Sequence, residues 1–463
     1  MTVNLEIRAP YDRVLLSTLP ASTEIEVEAA FAKAYGLFRN RKAWLPKIER
    51  IAILRRAANI ARERREQLAL QIASESGKPL RDALIEVDRG IDGIELSVET
   101  LRHDAGHVVP MDINATSAGR VAFTQMEPIG VVLAIAAFNH PFNLVIHQVA
   151  PAVAAGAPVI VKPSQKTPLS CRSVIEIFTE AGLPEGWAQM VLPLELDLVG
   201  RMASDARVAF LTFIGSAAVG WRLRANLTPG ARCALEHGGV APVIVAADAD
   251  LSAAIPRLGR AGFWHAGQAC VSVQRVFCAN AILDEVVDGL AGVARTMQIG
   301  DPTRMETEVG PLISHAEVER VGNWVARSGA RVASGGERLG DSTYANTVLV
   351  NPDIDADVSR REVFGPVICV YGYDEIQAAL AQANDLPFSF QGAVFTRNID
   401  TAMYCYRHLD ATAVMVNEHP LFRVDWMPFA GARHSGLGVG GIPHTIRDMQ
   451  TEKMMVWRSD ALN

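Results

Sequence analysis

The chain has no Cys-x-x-Cys pair and no closely spaced set of cysteines and histidines. That excludes the common zinc-binding patterns and a disulfide framework, and no metal site is expected. Its six cysteines, Cys171, Cys233, Cys270, Cys278, Cys369 and Cys405, are scattered, as in a reduced, cytoplasmic protein. No G-x-G-x-x-G follows a strand-like run, so the standard dinucleotide fingerprint is missing. There is no unbroken membrane-length apolar run either. The longest apolar stretch, "VVLAIAAFNHPFNLVIHQVAPAVAAGAPVIV", is interrupted by Asn139, His140, His147 and three prolines, and it reads as buried strands and a helix. The start, "MTVNLEIRAPYDRV", spreads charges where an export signal needs an apolar core. A net charge of −7 provides no overall field to attract nucleic acid.

What is present is a globular composition, 49% hydrophobic and 21% charged, in 463 residues, enough for two or three domains. From about residue 24 to 106, apolar residues recur at three- and four-residue spacing between Arg and Glu, which predicts a solvated helical wrap. The texture then changes. Short apolar runs, "VVLAIAAF", "APVIVKP", "WAQMVLP" and "RVAFLTFIGS", alternate with helical stretches, the mark of a buried parallel sheet in a doubly wound α/β domain. A second α/β segment begins near residue 241 and runs to about 425, and the tail "RDMQTEKMMVWRS" is strand-like and needs a partner strand.

Ligands of such sheets bind at the carboxyl ends of the strands, which selects a few candidates. Lys162 ends the strand in "VIVKPSQKTPLS". Gly215 and Ser216 end "LTFIGS" and lead into a helix whose free amides suit a phosphate. Glu236 in "LEHGG" sits between an apolar strand and two glycines, where partial desolvation would fit it for general-base work. Asn139 in "FNHP" is either a turn residue before a helix or an amide donor aimed into the crevice. Cys270 in "HAGQACVS" has no cationic neighbour in sequence. A lone cysteine of that kind is more often core filling than a nucleophile.

Taken in order, "FNHP", "VIVKPS", "FIGSAAVG", "LEHGG", "GQAC", "GPLIS", "EVFGPV" and "MPFAGARHSGLG" closely resemble the aldehyde dehydrogenase superfamily along nearly the whole chain. The resemblance implies an α/β aldehyde dehydrogenase fold. Its parts would be a Rossmann-like NAD(P)-binding domain (1–117 and 128–237), a catalytic domain (238–426) and oligomerisation strands (118–127 and 444–463). It makes Cys270 the nucleophile, Asn139 a donor to the oxyanion and Glu236 the base that activates water against a thioester. Lys162, Ser164, Gln165, Gly215, Ser216, Glu362 and Phe364 would hold NAD or NADP. Gln165 departs from the glutamate of NAD-preferring members, which leaves NADP admissible. The funnel positions Asn143, His147, Arg423 and Phe429 point to a short aldehyde with a hydroxyl or anionic tail, Arg423 being its anchor unless Asp425 pairs with it. A homodimer or homotetramer is expected, with no membrane or nucleic-acid partner. Competing readings are a CoA-acylating enzyme, a protein that keeps the fold without activity, and a cysteine hydrolase using a nearby histidine such as His265.

Overall fold

The computed structural model describes residues 3–462. Six strands form the first sheet in the order Gly436–Leu437, Arg232–Glu236, Val208–Ile214, Val131–Ile135, Val159–Lys162, Ala188–Met190. The five between Val131 and Glu236 are parallel. Chain order reverses between Val131–Ile135 and Val208–Ile214, the switch point at which a doubly wound sheet opens a ligand crevice. Strand Val131–Ile135, "VVLAI", is buried at every residue because both faces are covered. Its side chains alternate. Val132 and Ala134 join the core of the helices Lys47–Glu63, Arg65–Ser76, Leu80–His103 and Asn143–Ala155. Val131, Leu133 and Ile135 meet Phe31 of helix Glu24–Arg39 and Met202 of helix Leu196–Ala203.

The second sheet has seven strands in the order Arg331–Ser334, Thr347–Val350, Val367–Tyr373, Arg275–Ala279, Pro242–Val245, Gln391–Phe395, Ala413–Val416. All its pairings are parallel except the first. It has a core of its own. The third sheet is antiparallel. Gln450–Arg458 pairs with Arg120–Pro128, which also holds Val108–Val109. Met454, Met455, Val456 and Trp457 are exposed on that edge strand.

Two expectations are corrected here. The tail strand starts at Gln450, not 444, because Ile442–Asp448 form a helix, with Pro443 in its first turn and Ile442 and Ile446 buried in the core of helix Asn143–Ala155. The helical wrap is not wholly solvated: Glu75, Lys78, Asp82 and Glu86 are buried. Among the described residues no helix is long and apolar enough to cross a membrane.

Candidate active site

Helix Leu251–Phe263 runs into a turn, Trp264–Gly267, in which His265 (φ 49°), Ala266 (φ 53°) and Gly267 (φ 70°) are all left-handed. Such conformations cost about 1–3 kcal/mol at each non-glycine residue and persist only when the surroundings enforce them. At Gly267 a Cβ would fall 2.0 Å from the Gly365 carbonyl oxygen, so only glycine fits. Gln268 locks the segment. Its Nε2 donates to the carbonyls of His265 and Pro311, both at 3.2 Å, and its Oε1 accepts from Ile313 N at 2.9 Å. The Gln268 carbonyl in turn accepts from Asn139 Nδ2 at 2.9 Å. Asn139 is therefore fixed to the stretch that carries Cys270, with one amide hydrogen left over.

Cys270 is half-buried. Burial pushes its thiol up to about 12, Glu362 and Glu236 push the same way, and Arg423 opposes them. His265 makes no hydrogen bond to it: both ring nitrogens of that buried histidine lack a hydrogen-bond partner. Burial and the nearby Lys78 also hold that imidazole neutral. Glu236 ends its strand as expected, with Gly440 against the carboxylate, where a Cβ would come within 2.2 Å of Oε1. Desolvation raises the Glu236 pKa and Arg423 partly offsets it.

The Arg423 guanidinium carbon lies 3.6 Å from the ring centre of the buried Phe429. Its side chain is 11% exposed, and its closest approach to Asp425 is 3.8 Å. That is not a hydrogen bond, and Arg423 Nε is a buried donor without a partner. Asp425 is already satisfied. Arg89 donates to both carboxylate oxygens, at 3.0 and 2.6 Å, and His147 Nε2 meets Oδ1 at 2.9 Å. Burial works to raise the Asp425 pKa, but His147 and Arg89 outweigh it and hold the carboxyl well below the usual range. His147 is thus a support for Asp425, and its Nε2 is taken up there and is not free for a ligand in the funnel. Asn143, also buried, gives its backbone N–H to Glu86, and its Oδ1 has no partner.

At the sheet crevice, Lys162 ends strand Val159–Lys162 and has no hydrogen-bond or ion-pair partner among the described residues. Burial lowers its pKa. Ser164 Oγ accepts from Lys166 N at 3.1 Å. Gln165 Nε2 donates to the carbonyls of Pro193 and Leu194 at 3.3 and 3.0 Å, which leaves its amide oxygen as the group turned outward. Gly215 N donates to Glu236 O at 3.0 Å, and Ser216 precedes helix Ala217–Ala225 without capping it by its side chain. On the far wall, Gly239, Gly267, Ala269, Glu362 and Phe364 line a narrow cavity. Glu362 Oε1 is buried with no partner, and a Cβ on Gly238 would stand 1.8 Å from it. Burial pushes the Glu362 carboxyl up to about 8. Phe364 is held at φ 46° with its ring edge-on to Phe138 at 5.7 Å. A bare lysine, uncapped helix amides and an orphaned carboxylate oxygen are what a dinucleotide's phosphates and ribose hydroxyls would satisfy, so the residues fit such a cofactor. Among the described residues no cluster of His, Cys, Asp or Glu suits a metal ion.

Sequence reasoning missed the buried set around Lys78. Its ammonium donates to Glu86 Oε2, lies 3.0 Å from His140 Nδ1 and sits 5.1 Å from the Trp264 ring centre. The available signal was the pair of glutamates flanking "SGKPLRDALI".

A doubly wound nucleotide-binding sheet facing a loop-borne cysteine, with an amide donor and a desolvated carboxylate beside it, is the architecture of a cofactor-dependent oxidoreductase acting through a covalent adduct. Over residues 2–455 the chain matches the aldehyde dehydrogenase family, and it belongs to that family. It is 34% identical to a 3-sulfolactaldehyde dehydrogenase of Priestia aryabhattai, over 98% of this chain and 94% of that one. Its fold superposes with a TM-score of 0.94 on aldehyde dehydrogenase 21 from Physcomitrella patens in complex with the reaction product succinate (31% identity, covering 99% and 95%). It also superposes, with a TM-score of 0.93, on the glyceraldehyde-3-phosphate dehydrogenase GapN from Methanocaldococcus jannaschii complexed with NADP (31% identity, covering 99% and 100%).

Proposed function

We propose that this enzyme oxidises short aldehydes with an anionic or hydroxylated tail to carboxylates, using NAD or NADP. Arg423 carries the choice of an anionic tail: it is a buried guanidinium, stacked on Phe429, with no hydrogen bond of its own. A cation so placed is costly until an anion joins it. The names of the three relatives are consistent with this, since they contain a sulfonate, a phosphate and a dicarboxylate product.

Cys270 Sγ, as thiolate, adds to the aldehyde carbon, and the remaining Asn139 amide hydrogen with the Cys270 backbone N–H holds the oxyanion that forms only on attack. When bound, the nicotinamide supplies the hydride acceptor. Glu236 then takes a proton from water, which adds to the thioester carbon and releases the carboxylate and the thiol. Its raised pKa makes it a stronger base than an exposed glutamate. This base disfavours the CoA-acylating alternative. Lys162 and Gln165 would meet the adenosine ribose beside Ser164, Gly215 and Ser216 the pyrophosphate, and Glu362 and Phe364 the nicotinamide ribose and ring. The six-stranded sheet is proposed as the core of the cofactor domain and the seven-stranded sheet as that of the catalytic domain. The exposed apolar strand Gln450–Arg458 would bind a second copy in a homodimer or homotetramer, a point for light scattering. Six unpaired cysteines suit a reducing cytoplasm.

The test is a panel of short aldehydes, with and without sulfonate, phosphate or carboxylate groups, assayed for reduced-cofactor formation with NAD and with NADP. Turnover of the anionic members above their neutral counterparts supports the reading. Turnover of none refutes it.

A further inference from the structure

The two crossover helices that follow the site loops begin without local caps. Neither Asn143–Ala155 nor Pro168–Glu180 has a side-chain hydrogen bond from its N-cap residue, although the first-turn amides of each helix need partners, Pro168 having no N–H. Both are capped from the helical wrap. Glu75, fully buried, accepts from Leu169 N at 2.9 Å, from Ser170 N at 2.7 Å and from Ser170 Oγ. Glu86, 2% exposed, accepts at Oε1 from Phe142 N at 2.9 Å and Asn143 N at 3.1 Å, while its Oε2 takes the Lys78 ammonium. A nearby Ser or Asp would stabilise a helix start at less desolvation cost than a buried carboxylate from another element. What the remote caps add is a fixed position relative to the wrap.

The link between the two glutamates is itself pinned. Gly77 (φ +76°) is so enclosed that a Cβ would fall 2.7 Å from the Pro311 ring and 3.0 Å from that of Pro10, and Leu80 N donates to Pro302 O at 2.7 Å. Lys78, beside Glu86, reaches His140, the residue after Asn139. It also lies against Trp264, the residue that opens the left-handed stretch before Cys270.

We propose that Glu75 and Glu86 are positioning residues for separate halves of the reaction. Glu75 fixes the Lys162–Gln165 loop that meets the cofactor, and Glu86 with Lys78 fixes Asn139 and the Cys270 loop that hold the oxyanion. The inference rests on the roles given above for those loops.

Isosteric amides separate the two. In Glu75→Gln an NH2 group must oppose one of the two helix amides. In Glu86→Gln the Oε1 cap is kept, and an NH2 group confronts Lys78. Cofactor affinity is read by fluorescence titration with NADP or NAD alone, and acylation by the rate of the first-turnover burst at saturating cofactor. Glu75→Gln is expected to weaken cofactor binding about tenfold or more while the burst rate stays within about twofold, the reverse of Glu86→Gln. If a Gln variant does not fold, Ser170→Ala (losing one Glu75 contact) and Lys78→Gln carry the same split, at about threefold or more. Variants that move both readouts together, or neither, overturn the inference. A wild-type enzyme that fails to oxidise any aldehyde overturns the functional reading instead.

Discussion

Replacing Arg423 by alanine tests the substrate class most directly, because the proposed anchoring of an anionic tail can be separated from what the residue does for everything else. Asp425 keeps Arg89 and His147 after the truncation, so no buried carboxylate is orphaned. The losses common to all substrates are the stacking on Phe429 and the attraction of the guanidinium for the Cys270 thiolate and the Glu236 carboxylate. Those lower the rate on a neutral aldehyde as well. An anionic tail loses in addition at least one charge-assisted hydrogen bond in a desolvated site, worth about 1.5–3 kcal/mol, or roughly ten- to 150-fold in kcat/KM. The assay is therefore a ratio: kcat/KM of wild type over Arg423→Ala for a sulfonated or phosphorylated aldehyde, divided by the same quotient for a neutral aldehyde of equal length. A ratio of about 30 or more is expected, corresponding to about 2 kcal/mol. Arg423→Lys, which keeps the charge but not the planar fork, should fall between. A ratio near one, with equal loss on both substrates or none on either, refutes the anchor and leaves Arg423 as an electrostatic neighbour of Cys270.

Four further outcomes are expected. Cys270→Ser should reduce steady-state turnover below about a hundredth of wild type while titration still shows NADP or NAD binding, since in the proposed mechanism the thiolate forms the adduct and is not a cofactor contact. Glu236→Gln should give one turnover's burst of reduced cofactor followed by a slow steady state, seen by stopped-flow absorbance, and the rise of deacylation with pH through the raised Glu236 pKa should vanish. Gln165→Glu should shift the ratio of the two specificity constants toward NAD by roughly 1–3 kcal/mol through repulsion of a 2′-phosphate. It should also lower Tm, because a carboxylate cannot donate to the Pro193 and Leu194 carbonyls. The folded-state pKa of Glu362, about 8, lies above its ordinary 4.5. Its contribution is thus complete below about 4.5 and lost as pH rises through about 8, so Tm of the cofactor-free enzyme should fall over that window, and less steeply in Glu362→Gln.

The parts of the site that were legible in the sequence sit where local chemistry punctuates the chain. Lys162 and Gly215 each end or directly follow a largely buried apolar strand, Glu236 ends a strand of mixed burial, and such ends are marked by Gly and Pro whatever the tertiary partners are. The state of Arg423 was not legible. Whether it pairs with Asp425 is decided by Arg89 and His147, which lie 336 and 278 residues from Asp425 in sequence. The same limit hid Glu75, Lys78 and Glu86. Helical periodicity assigns charged positions to solvent, and the two glutamates flanking "SGKPLRDALI" mark the segment without showing which distant helix each of them caps. The tail differs near 444 because its strand-like texture overlaps a short helix anchored by the packing of Ile442 and Ile446.

Three of the proposed ligand contacts share a physical state. Lys162, Glu362 and Arg423 are each desolvated and take no hydrogen bond from another side chain, Arg423 having only its 3.8 Å approach to Asp425, whereas buried Lys78, Glu86 and Asp425 form close ion pairs. A desolvated polar group without a close partner lowers stability, and three of them among the proposed ligand contacts fit partners that arrive from outside. Their signs are informative. Under the proposed function, Lys162 and Arg423 would take anionic or electron-rich groups, and Glu362 would take hydroxyl groups. Cys270 stands near Glu362 and Arg423 with a thiol that burial keeps protonated, and the carboxyls of Glu362 and Glu236 reinforce this. A cation seated beside it would draw the thiol down, and a cationic nicotinamide is such a group. In the proposed mechanism the thiol would therefore be least reactive when the cofactor is absent, which would protect the half-buried cysteine from adventitious alkylation and oxidation until hydride transfer is possible.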